Sequence, residues 1–260
     1  MVLGLELPLV IGAAVLALRL SVLLALAPLM DNRMVPLLWR LALALPLGWA
    51  LAPLAVPHLA AMPASPSWSQ LAVEGLHSLV LGALLALAMN FVLAAVRFAG
   101  GVAGMQIGFA IVNAYDPQTD SQISIISHLY YLVTVLLFFA LDVHLGLVRA
   151  LVASLVAAPP FTMPAFGPAA VELLRTYSGI FAIGLQAAAP VVLVLLLVST
   201  AMGVIVKTTP QIHVLVVGFP VKIAAGIFVL GASLVYFGGV VAQSLAAMGS
   251  LLSRVLNAVA

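Results

Sequence analysis

The stretch from Leu71 to Val96, LAVEGLHSLVLGALLALAMNFVLAAV, sets the fold class. Its ionisable side chains, Glu74 and His77, sit near its start, and the remainder is apolar except for Ser78 and Asn90. A helix of about 20 apolar residues crosses a hydrocarbon core of about 30 Å, so this block reads as a transmembrane helix. On its N-terminal side, comparable blocks run from about Pro8 to Met30 and from about Pro36 to Leu59, the latter interrupted by Pro46, Pro53 and Pro57. On the C-terminal side lie Ile123 to Leu141 with a further apolar stretch to Ala157, the uncharged run Thr176 to Val206 with Pro190 inside it, and Ile223 to Ser253. These six or so blocks predict an all-α, polytopic membrane protein. Composition agrees: the 260 residues are 65% hydrophobic and 6% charged, with a mean hydropathy of +1.32, whereas soluble domains carry roughly 25% charged residues. A soluble enzyme is excluded, because there is too little polar surface to cover a water-exposed globule.

Two segments resist classification by hydropathy. Phe98 to Tyr115 is apolar but rich in glycine, and Thr208 to Val221 is short and bracketed by Lys207, Pro210, Pro220 and Lys222. Orientation from loop charge requires Lys and Arg to favour alternate loops. Here Arg33, Arg40, Arg97, Arg149, Arg175, Lys207 and Lys222 occur at nearly every turn, so the blocks are not all expected to cross a bilayer in the ordinary way. A formal net charge of +2 with no cluster of cations excludes nucleic acid as a partner. The absence of cysteine excludes disulfides and thiolate chemistry. No Lys or Arg precedes Arg19, so the first block is expected to be retained rather than cleaved as a signal peptide.

The residues able to carry chemistry are few. Gly100, Gly104 and Gly108 recur every four positions, which on a helix makes a side-chain-free ridge suited to close helix packing. After the ridge comes Phe109-Ala-Ile-Val-Asn113-Ala-Tyr115-Asp116-Pro117-Gln-Thr-Asp120-Ser-Gln122. The residue before a proline is pushed out of the helical region, and Asn, Asp, Ser and Thr compete for backbone bonds, so a non-helical loop is expected. Such backbone at membrane depth must be sheltered by protein or line an aqueous passage; at the surface it is a connecting turn, and the residues alone leave both open. Arg19 lies inside an apolar block, where a bare cation costs about 2.5–3.5 kcal/mol. It is expected to snorkel, to pair with a carboxylate such as Glu6 or Asp31, or to serve a pathway or subunit contact. Glu74 and His77 form one Glu-x-x-His, which in duplicate would suggest a carboxylate-bridged metal site. Without a second copy, Glu74 reads as a carboxylate favouring a helix N-terminus. No catalytic constellation and no cofactor or metal motif is present, so the chain reads as a non-enzyme.

Separated stretches, taken in order, resemble the FliR family of the bacterial type III export apparatus. They are Ala94-Ala-Val-Arg97-Phe-Ala-Gly100, Gly104-Met-Gln-Ile-Gly-Phe109 and Asp116-Pro117; Thr209-Pro210-Gln211-Ile212 and Gly218-Phe219-Pro220-Val-Lys222; and Arg19-Leu-Ser, Ala27-Pro28 and Arg33-Met-Val-Pro36. One departure is that the family often reads Gly-His after its fourth block, where this chain has Asp142-Val143-His144. The resemblance implies a single domain of bent helical hairpins with non-standard topology, within a helical assembly that forms the gate. Residues 1–175 would be FliP-like, with a plug loop at about 106–122, and residues 176–260 a FliQ-like helical hairpin. It further implies one copy joined to several copies of FliP-like and FliQ-like membrane subunits, a FlhB-like switch protein as partner, exported flagellar proteins as cargo, and the bacterial inner membrane at the basal body as location. Ile111, Val112, Asn113, Ala114, Tyr115, Asp116 and Pro117 would plug the closed pore. Arg19, Arg33, Arg40, Phe219 and Pro220 become candidates for subunit contacts.

Other readings stand beside this one. The equivalent subunit of a virulence-type injectisome would share the fold and deliver different cargo. A small-molecule transporter would also use broken helices but should contain an internal repeat, and none is found between the halves. An intramembrane enzyme needs paired ionisable groups, and Glu74 with His77 lacks a partner set.

Overall fold

The computed structural model describes residues 7–26, 36–59, 62–63, 65–109, 125–208 and 214–260. All regular structure among them is helical: α1 (Leu7–Leu26), α2 (Leu37–Ala55, continued by a 3-10 turn, Val56–His58), α3 (Trp68–Ile107), α4 (Ile125–Ala140), α5 (Val143–Ala157), α6 (Phe166–Tyr177), α7 (Ile180–Thr208), α8 (Val214–Ala232) and α9 (Leu234–Val259). Five stretches are long and apolar enough to cross a membrane: Leu7–Leu26, Leu37–His58, Trp68–Ile107, Phe166–Thr208 and Leu234–Val259. The broken pair α4 and α5 makes a sixth. The chain is an all-α polytopic membrane protein.

Local sequence explains where the helices start and stop. Ser67 and Gln70 form a capping box at the head of α3: the Ser67 N–H donates to Gln70 Oε1 (2.9 Å) and the Gln70 N–H to Ser67 Oγ (3.4 Å). This satisfies two of the donors a helix start leaves unpaired. From there α3 runs for 40 residues, about 60 Å at 1.5 Å per residue, roughly twice a hydrocarbon core. It thus absorbs the first part of the glycine-rich segment that hydropathy left unassigned. Gly108 ends it with φ 108°, its N–H donating to Met105 O (3.2 Å) while the Phe109 N–H donates to Gly104 O (3.1 Å). Those crossed bonds are a Schellman cap, which requires the left-handed backbone glycine adopts freely. At the break between α4 and α5, Asp142 takes φ 53° and ψ 27°, the conformation in which Asp is tolerated better than most non-glycine residues. A residue able to adopt it therefore still stands where Gly-His was expected.

Two stretches that hydropathy left undivided or unassigned are resolved. The block Ile223 to Ser253 is not one helix: α8 ends at Ala232 and α9 begins at Leu234. Uniform apolarity hid the interruption at Ser233, whose hydroxyl donates to Leu230 O (3.2 Å). The doubtful segment before it is helical from Val214 and carries Pro220 inside α8.

The chain clusters into two compact units: residues 1–91, 142–178 and 246–260, and residues 92–141 and 179–245. They interleave along the sequence. In the first unit α1 and α2 form a hairpin on a seam of small residues. Ala44, Gly48, Ala52 and Ala55 are the buried residues of α2, and a Cβ on Gly48 would stand 2.7 Å from the Ala17 nitrogen. Pro46 and Pro53 occupy the exposed side of the same helix, so the backbone bonds they remove lie away from the seam. In the second unit the far end of α3 packs against α4, α7 and α8, with Phe98 edge-on to Phe181 at 5.1 Å and Tyr130 stacked on Phe237 at 4.0 Å.

Candidate functional site

The far end of α3 leads into the expected plug, and the second unit is built around that end by close approach. Gly100 is buried, and a Cβ there would collide with the Ser127 Cα of α4. At the same point the Ser127 hydroxyl donates to Arg97 O (3.1 Å). Gly184 of α7 meets Ala95 O, at 2.8 Å from where its Cβ would be, and Gly226 of α8 receives the Ile107 side chain at 2.6 Å. Gly108 packs under the Phe219 ring, whose Cε1 lies 3.3 Å from the position of a Cβ. Where no side chain separates two helices, their backbones approach within reach of dispersion and weak C–H···O contacts, the main source of adhesion between helices in apolar surroundings. Arg97 extends over the Tyr131 ring at 5.0 Å, a cation–π contact across α3 and α4.

The expected site residues fall as described here. Gly100 and Gly108 make the close contacts above; Gly104 is buried and accepts the capping bonds. Gly108 has a second role that spacing did not reveal, since it terminates the helix instead of continuing the ridge. Phe219 is half-buried against Gly108, and Pro220 is exposed. Arg40 is half-buried and donates to Ala25 O at 3.4 Å. Arg33 and the plug residues Ile111, Val112, Asn113, Ala114, Tyr115, Asp116 and Pro117 lie outside the described residues.

Arg19 belongs to the first unit and is 1% exposed. Its Nη1 donates to Ser154 Oγ (2.8 Å) and its Nη2 to Ala158 O (3.0 Å), both at the end of α5. It forms an ion pair with Glu74 Oε1 at 3.8 Å; Glu6 and Asp31, the carboxylates named as possible partners, lie outside the described residues. A Cβ on Gly82 would collide with Arg19 O, so α1 and α3 touch backbone to backbone beside the guanidinium. Glu74 is correspondingly more than a helix N-terminal charge. It is buried, its Oε1 accepts from Ser78 Oγ (3.1 Å), and its Oε2 accepts the Phe161 N–H (2.7 Å). Phe161 has φ 65°, a conformation that costs a bulky residue about 1–2 kcal/mol. A hydrogen bond to a charged acceptor contributes about 1.5–3 kcal/mol, enough to hold the turn there. Glu74 and His77 also line a cleft of about 310 Å³ with Ser69, Gln70, Phe161 and Thr162. Among the described residues no three His, Asp or Glu side chains gather to hold a metal ion.

Residues 10–248 match the family described as bacterial export proteins, family 1. The flagellar biosynthetic protein FliR of Escherichia coli (strain K12) is 30% identical over 218 residues, covering 83% of this chain and 81% of the relative. FliR of Pectobacterium carotovorum subsp. carotovorum is 31% identical over 156 residues, and FliR of Bacillus subtilis (strain 168) is 34% identical over 154 residues. Those two matches span 60% of each relative's length.

Proposed function

Since the chain belongs to the bacterial export proteins, family 1, we propose that it is a membrane subunit of the flagellar type III protein export gate. In this reading it forms part of the protein-conducting channel in the inner membrane at the basal body. Its partners are FliP-like and FliQ-like membrane subunits and a FlhB-like switch protein, its cargo is flagellar protein, and it carries out no catalysis. The observation that carries the proposal is the 30% identity to a flagellar FliR over 83% of the chain. The glycine-lined end of α3 gives the proposal a place to act. It is a close-packed collar, capped at Gly108, from which the stretch Ile111 to Pro117 departs. The non-helical backbone that the sequence leads one to expect there would belong beside a water-filled passage, and its apolar side chains would seal the passage by excluding water.

Purification in mild detergent with mass spectrometry of the recovered chains tests the assignment. FliP-like and FliQ-like chains are expected to co-purify, and recovery of the protein without them, from cells that make them, would overturn it. Shortening Ile111 to Tyr115 tests the plug separately. Ion leakage through membranes containing assembled complexes is expected to rise, and an intact barrier in assembled mutant complexes would remove the plug from the proposal.

A further inference from the structure

The arrangement around Glu74 assigns a task that the export reading does not use. The turn between α5 and α6, residues 158–165, contains Phe161 in the left-handed region, where a phenylalanine is strained. The hydrogen bond from its N–H to Glu74 Oε2, 2.7 Å long, ties Phe161 itself, while Thr162 donates to Pro159 O within the turn and the Ala165 N–H donates to Val259 O at its far end. The carboxylate is fixed in turn by the Ser78 hydroxyl at 3.1 Å and by the Arg19 guanidinium at 3.8 Å. Arg19 also reaches the near end of the same turn through Ala158 O. The charged and titratable groups facing the carboxylate are thus Arg19 from α1 and His77 from the next turn of α3. Among the described residues it meets from the α5 end and the turn only uncharged groups, Ser154 through Arg19 and Phe161. Although Glu74 is buried, the cleft it lines has an exposed rim at Ser69, Gln70 and Met163.

We propose that Glu74 is a charge-dependent latch on the 158–165 turn. With the carboxylate ionised, the bond to the Phe161 N–H offsets the strain and the turn stays folded over the cleft. When the carboxylate takes up a proton, the bond loses its charge assistance and the attraction to Arg19 is lost. The strain at Phe161 then drives the turn toward an extended backbone and opens the cleft. The ligand of the site is a proton, and the element it biases is the turn.

The absence of cysteine in the natural chain allows a clean test on the full protein in detergent. Thr162→Cys, in the turn, reports by its rate of maleimide labelling, normalised to Ser250→Cys on the exposed side of α9 so that the pH dependence of thiol reactivity cancels. Glu74→Gln is expected to raise the normalised rate about fivefold, as a local opening equilibrium would. In a Phe161→Gly background, where the left-handed turn carries no strain, the same substitution should change the rate by less than about twofold. Equal increases in both backgrounds would overturn the latch and leave Glu74 a packing residue. Should Glu74→Gln prevent recovery of the protein, the Thr162→Cys reporter with Glu74 intact decides. A normalised rate that rises on acidification supports the proposal, and a flat profile overturns it.

Discussion

The two compact units hold their helices together by different physical means. In the first, a buried guanidinium and a buried carboxylate knit α1, α3 and the end of α5, with Ser78, Ser154 and two backbone groups completing the network. In the second, no Asp or Glu occurs among the described residues, and adhesion comes from glycines that let backbones touch at Gly100 and Gly184 and that seat the Ile107 side chain at Gly226. A polar tie is directional and intolerant of losing one partner, because the other is left as an uncompensated buried charge. A glycine contact is short-ranged and intolerant of gaining an atom. The first unit, which also has close glycine contacts at Gly48 and Gly82, should therefore fail by subtraction at its buried ion pair as well as by addition, and the second by addition.

The largest expected effect tests subtraction. Arg19→Met leaves Glu74 without its cation and should destabilise the purified protein by about 3–5 kcal/mol, read as a fall in thermal unfolding midpoint in detergent. Arg19→Met combined with Glu74→Gln removes both charges while leaving one amide oxygen to accept the Phe161 N–H and an NH2 that can donate to the Ser78 hydroxyl, and should recover much of that loss. If the double variant is as unstable as the single one, the network is held by shape and not by charge. Addition is tested by Gly100→Ala, whose methyl group would collide with the Ser127 backbone and not with a movable side chain. It should cost about 1–3 kcal/mol, whereas Gly231→Ala, which meets nothing within 4 Å, should be tolerated. Equal midpoints for the two alanine variants would dissolve the contrast between the units. The smallest effect concerns the break at Asp142. A β-branched residue resists the left-handed backbone, so Asp142→Val should lose about 1–2 kcal/mol while Asp142→Gly loses none.

Much of the fold was legible in the sequence because membrane insertion imposes a length and an apolarity that composition reports directly. The block beginning at Leu71 is part of a helix, and the first two blocks form helices nearly where hydropathy put them. What hydropathy does not encode is interruption within an apolar run: Ser233 divides one block, while Gly100 and Gly101 fail to divide another because α4 packs directly against them. Pairing across the fold was less legible still. Among the described residues the carboxylate beside Arg19 is Glu74, on a different helix, brought close by the contact of α1 with α3 at Gly82. No spacing rule links residues 19 and 74. Gly48 and Gly82 were invisible for a related reason, since a single glycine in an apolar helix signals close packing only once its neighbour is known. Of the glycines spaced every four from Gly100, the first meets α4 closely, while the last is a helix stop that spacing did not reveal.

That stop fixes a direction as well as an end. An α-helix turns by about 100° and advances 1.5 Å with every residue added, so the bearing on which the chain leaves α3 depends on which residue halts it. The crossed bonds at Gly108 and Phe109 select one bearing from the several that a frayed end would sample. A helix one residue longer would aim the next segment about a quarter-turn away around the same axis. Gly108 thus works as a sighting mark for the segment that leaves it.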